Sequence, residues 1–93
     1  MTESKLQNRC KQYADDHGVL FRKLHCEGRR GWPDLMLMLP SSEVVWIEMK
    51  HPNGKGTTSK LQSIEHRRIR KHGGIVYVCE SFEHFCGIIG THL

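Results

Sequence analysis

Pro33-Asp34 opens one apolar run of this sequence and Glu48-Met49-Lys50 closes the next, so two carboxylates and an amine stand at the ends of greasy segments. The runs, 34–39 and 44–47, flank Pro40-Ser41-Ser42-Glu43, a turn by composition. They read as a β-hairpin whose strands are buried on both faces. A hairpin centred between Ser41 and Ser42 sets Asp34 opposite Met49. Side chains two apart on a strand share a face, so Glu48 and Lys50 point to one side, next to Asp34.

Charges set among apolar neighbours are strongly penalised unless they are paired. A divalent cation relieves the repulsion between two neighbouring carboxylates. Mg²⁺ or Mn²⁺ suits oxygen ligands, and Mg²⁺ keeps several waters when one or two carboxylates and a phosphate hold it. Asp34 and Glu48 are the expected ligands, with the Met49 backbone carbonyl as a third. Such an ion polarises a phosphodiester and lowers the pKa of an attacking water. Lys50 then orients the water or stabilises charge developing on phosphorus. The plain alternative is a salt-bridged strand end, Asp34–Lys50–Glu48, with no metal.

The elements that must position these groups follow from periodicity. Leu6, Cys10, Tyr13 and Ala14 share one face of a helix over Thr2–His17, capped by Thr2 or by Ser4 with Gln7 and ended by Gly18. Val19–His25 alternates as a strand, and Glu27–Pro33 is a loop with two glycines and a proline. A second loop spans His51–Thr58. Ser59 and Gln62 form a capping box for a helix reaching about His72, with Leu61, Ile64 and Ile69 inward and most of its basic residues outward. Gly73-Gly74 stops it. Ile75–Cys79 is a strand, and Ser81 caps a last short helix through Phe82, Phe85 and Ile88. The order α-β-β-β-α-β-α gives an α/β fold with a mixed four-stranded sheet flanked by helices.

The 93 residues suit one domain, 1–93, with a thin core. Fourteen Lys and Arg against ten Asp and Glu give a net charge of +4, which favours a polyanionic partner. No apolar stretch approaches a membrane span, and the first residues do not form a signal peptide, so a cytoplasmic protein is expected. Cys10, Cys26, Cys79 and Cys86 form no C-x-x-C pair and read as free thiols. The seven histidines show no ligand spacing and read mostly as surface residues.

Five segments in order then carry a resemblance: Glu3, Arg30-Gly31-Trp32-Pro33-Asp34-Leu35, Trp46-Ile47-Glu48-Met49-Lys50, Ser59-x-x-Gln62, and Gly74-Ile75-Val76-Tyr77-Val78. With them the chain resembles the VRR-NUC domain, stand-alone type, a branch of the PD-(D/E)xK nucleases with a restriction-endonuclease-like core. That resemblance implies metal ligation by Asp34 and Glu48, a catalytic Lys50, a supporting Gln62 and a metal or water contact from Glu3. The bland readings are that Gln62 only caps its helix and that Glu3 only favours the helix dipole. Arg29 and Arg30 before Asp34, and Lys55 and Lys60 around the second loop, suit DNA phosphates. Trp32 and Trp46 read as packing residues.

The expected activity is metal-dependent endonucleolytic cleavage of DNA. Likeness to junction resolvases of this fold points to four-way or branched substrates and a homodimer, with Phe82, Phe85, Ile88 and Ile89 as its apolar surface. The rivals are a non-catalytic DNA-binding module and a nuclease for RNA or single strands.

Overall fold

The computed structural model describes residues 3–28, 30–50 and 59–93. The elements run α1 (Glu3–Asp16), β1 (Leu20–Lys23), β2 (Leu35–Met38), β3 (Val44–Met49), α2 (Lys60–Lys71), β4 (Ile75–Cys79) and α3 (Phe82–His92). The sheet order is β1-β2-β3-β4. The first three strands are antiparallel, and β4 lies parallel to β3 because the chain crosses over through α2. This is the expected α/β fold with a mixed four-stranded sheet.

Strand alternation divides the sheet into two unlike faces. Leu35, Leu37, Leu39, Val45, Ile47 and Met49 turn inward and pack with Leu6, Cys10 and Ala14 of α1 and Phe85, Ile88 and Ile89 of α3. Fully burying such a side chain contributes roughly 1.5–3 kcal/mol. Stability therefore comes mainly from this face, which leaves the other able to carry charge. The other face presents Met36, Met38, Trp46, Glu48 and Lys50, and α2 lies across part of it. Ser59 and Gln62 form the expected capping box at the start of α2.

Several local expectations are corrected. The hairpin is not buried on both faces, since α2 leaves Met38 exposed. Ser4 lies inside α1 rather than at its cap, and Thr2 falls outside the described residues. Leu61 is exposed, and Glu65 and His66 take the buried positions on α2 instead. Phe85, Ile88 and Ile89 belong to the core, so they are not a surface for a second protomer.

The hairpin register also differs by one residue. Leu35 pairs with Ile47, and continuing that ladder sets Asp34 opposite Glu48, not Met49. The cause is the turn. Ser42 N–H donates to the Leu39 carbonyl and Leu39 N–H to the Glu43 carbonyl, closing a three-residue loop centred on Ser41. Ser42 adopts φ 76°, the left-handed conformation that ends such loops.

All four cysteines are free thiols. Burial pushes the Cys10 thiol up to about 12 and Cys79 up to about 11, so both stay protonated and unreactive. No helix among the described residues is long and apolar enough to cross a membrane.

Candidate active site

The expected register, with Asp34 opposite Met49, would put Asp34 on the face away from Glu48 and Lys50, and the observed register puts it on theirs. Directly opposed antiparallel residues share a face, with Cβ atoms about 4.5–5.5 Å apart. Asp34 and Glu48 are thus cross-strand neighbours, and Lys50 follows on the same face. Glu48 and Lys50 are each only 8% exposed. The Met49 N–H lies 3.4 Å from Asp34 Oδ1, joining the two strand ends where the β2–β3 ladder stops. In the parallel pairing, Lys50 N–H donates to the Cys79 carbonyl at 2.8 Å. Alternation along the strand then turns the Met49 N–H and carbonyl toward the Asp34 side.

Gln62 reconciles the two readings of its role. Its Oε1 accepts from the Ser59 backbone N–H at 2.9 Å and from Lys50 Nζ at 3.0 Å. One oxygen therefore closes the capping box and holds the ammonium group. Helix α2 is locked to the sheet at the residue on which the chemistry would depend.

Gly31 brings the preceding loop against the same helix. At φ +89° its backbone is in glycine territory, and a Cβ there would sit 2.5 Å from the Leu61 carbonyl oxygen and 2.9 Å from Gln62 N. Gly31→Ala is expected to destabilise the fold by about 1–3 kcal/mol, because backbone must move to admit the methyl group. It should also lower activity by displacing Gln62 from Lys50. Thermal melts and rates measured on the same preparation check this; an unchanged melting temperature would contradict the close approach.

One buried group at the site escaped the sequence reading. His66, one turn after Gln62, is 2% exposed, and its Nε2 has no hydrogen-bond partner among the described residues. Its i+4 spacing from Gln62 was the available signal. Burial holds its pKa below the ordinary 6.5, helped by the Arg70 and Lys50 charges. The folded chain therefore binds fewer protons at His66 than the unfolded chain does. The associated stability is present above about pH 6.5 and is lost as pH falls from there toward the lowered value. The melting temperature should drop between pH 7 and 5, less steeply in His66→Leu, by up to about one proton of linkage. Parallel curves for the two proteins would rule His66 out as the source.

Arg30 is exposed in the turn before Asp34, and Lys60 is exposed at the first position of α2. Glu3 is the first residue of α1, while its side chain, Arg29 and Lys55 lie outside the described residues. Trp32 and Trp46 pack edge to face, with ring centroids 5.2 Å apart.

The site's donor set fits a hard cation. Two carboxylates and a backbone carbonyl offer oxygen ligands, the number that leaves Mg²⁺ its waters and room for a phosphate. Among the described residues no group of three or more His, Cys, Asp or Glu side chains gathers as a metal set.

Carboxylates paired across two strand ends, with a lysine two residues on and a helix clasping it, define a PD-(D/E)xK-type nuclease core. The VRR-NUC domain family model matches residues 2–83, and the chain belongs to that family. A solved VRR-NUC domain structure superposes with a TM-score of 0.85 at 34% identity, covering 98% of this chain and 97% of the other. The chain is also 36% identical over 64 residues to p44, named as a nuclease candidate, of the Acyrthosiphon pisum secondary endosymbiont phage 1. That match covers 69% of this chain and 67% of p44.

Proposed function

We propose that this nuclease-family domain is a metal-dependent endonuclease acting on DNA, with Mg²⁺ or Mn²⁺ as cofactor. The observation that carries the reading is the convergence of Asp34, Glu48 and Lys50 on one face, with Lys50 held by Gln62. Asp34, Glu48 and the Met49 carbonyl would hold the ion, with Glu3 a further candidate. When bound, it supplies positive charge that polarises the scissile phosphate and makes water more acidic. Lys50 orients the attacking water and offsets the negative charge that grows on the phosphoryl oxygens. Gln62 fixes where the ammonium group stands, so less reorganisation is needed as charge develops.

Substrate grip rests on Arg30, Lys60 and the exposed Arg67, Arg70 and Lys71 of α2, with Arg29 and Lys55 as further phosphate contacts. No described element is placed to read base edges in a groove, so selectivity should come from DNA shape. We favour four-way or branched DNA and a homodimer, since paired cuts need two sites facing one substrate. A chain of this kind would work in the cytoplasm of a host cell.

The test is incubation with linear duplex, nicked and four-way DNA at matched salt, in Mg²⁺, Mn²⁺ or EDTA, alongside sedimentation. Paired junction cuts by a dimer are expected. A monomer that cuts linear duplex as readily as a junction would remove the shape-selective reading and leave the nuclease standing.

A further inference from the structure

A concave feature shares the face of the sheet that carries the carboxylates. A cavity of about 510 Å³, open to solvent, is lined by Trp32, Trp46, Glu65, Arg68, Ile69 and His72. Its size is in the range of small-ligand sites, and its wall is mainly apolar with a few converging polar groups, the usual composition of such sites. The two indole rings meet at 76°, and each residue is only half-buried. Glu65 is 4% exposed and accepts from Arg68 Nη1 at 2.8 Å, so an acceptor and a donor stand together at the wall.

The cavity's place is as informative as its lining. Trp32 stands two residues before Asp34, and Trp46 two residues before Glu48. Two residues along a strand cover about 7 Å, so the indole of Trp46 lies one row from the carboxylates on the same face. A strand whose phosphate rests at Asp34 and Glu48 carries the base of an adjoining nucleotide to this row. The buried Glu65 carboxylate disfavours a second phosphate there. Base N–H groups suit Glu65, base carbonyl and ring-nitrogen acceptors suit Arg68, and π-faces suit the two indoles.

We propose that this cavity receives one unstacked nucleobase of the strand being cut. The inference rests on the nuclease reading above and deepens it. A base paired inside a duplex cannot enter a cleft between a loop and a helix, whereas a base at a branch or in a single strand can, at little unpairing cost. Preference for non-duplex DNA then arises beside the reactive groups.

The chain's only two tryptophans both line the cavity, so its tryptophan emission reports this place alone. Wild-type protein in EDTA is titrated with a single-stranded oligonucleotide, and with one of equal length bearing abasic sugars throughout. Binding is followed independently by anisotropy of an end label. The natural strand should quench the emission and bind roughly ten- to hundredfold more tightly than the abasic one, the range for loss of a base–aromatic stack. In Mg²⁺, one abasic residue beside the scissile phosphate should raise KM by a similar factor with little change in kcat. Unmoved emission while anisotropy shows the strand bound, equal affinity for both strands, or no binding of either would overturn the proposal. Quenching by the natural strand with no cleavage in Mg²⁺ or Mn²⁺ would support the cavity and count against the nuclease reading, so the two fail separately.

Discussion

Lys50→Ala should lower kcat for DNA cleavage by at least about 10²–10³-fold, the loss typical when one pre-positioned transition-state donor is removed. DNA affinity should change little, because one buried ammonium group adds little beside the exposed arginines and lysines of α2. Loss in kcat with near-constant KM is the mark of an interaction made mainly in the transition state. The fold should survive the change. Gln62 Oε1 keeps the Ser59 N–H as a partner when the ammonium is gone, so the start of α2 remains capped. Single-turnover rates and binding isotherms on folded variant protein check this. Cleavage within a few-fold of wild type would remove Lys50 from the chemistry.

Asp34→Asn has the second large expected effect. The amide keeps an acceptor at Oδ1 for the Met49 N–H, so the junction of the two strand ends should hold. The charge is lost, and with it one of the two carboxylates proposed to hold the ion. Changes merely adjoining a metal's ligands cost 10–100-fold in affinity, so loss of a ligand charge should cost more than about a hundredfold. Metal-free DNA affinity should stay level or rise slightly, because a negative charge near the phosphates is gone. Calorimetric titration with Mn²⁺ decides the matter; unchanged affinity would show that Asp34 is not a ligand.

Much of this arrangement was legible in the residues, and the gaps have physical causes. Hydrophobic period and caps located all seven elements, because the 3.6-residue and 2-residue repeats of α2 and β3 are strong signals. The capping box of α2 was readable from Ser59 and Gln62 alone. The register was not, because it depends on whether Ser42 takes a left-handed φ, and serine does so rarely. A one-residue shift moves every side chain to the other face, and it separates Asp34 opposite Met49 from Asp34 opposite Glu48. The buried places of Glu65 and His66 were hidden for another reason. The part of α2 over the sheet is fixed by the close approach at Gly31, a tertiary fact that periodicity cannot carry. Phe85, Ile88 and Ile89 were misread as a free surface because an apolar helix face does not disclose what covers it.

The most direct test of the central claim is metal-dependent cleavage by the wild-type chain and the Asp34→Asn variant. Both are incubated with labelled four-way DNA in Mg²⁺, in Mn²⁺ and in EDTA, and product ends are resolved by length. Wild-type protein should cut internally with either metal and stop in EDTA, while Asp34→Asn should be inactive throughout. Cleavage that persists in EDTA, or that Asp34→Asn performs as fast as wild type, would contradict the account.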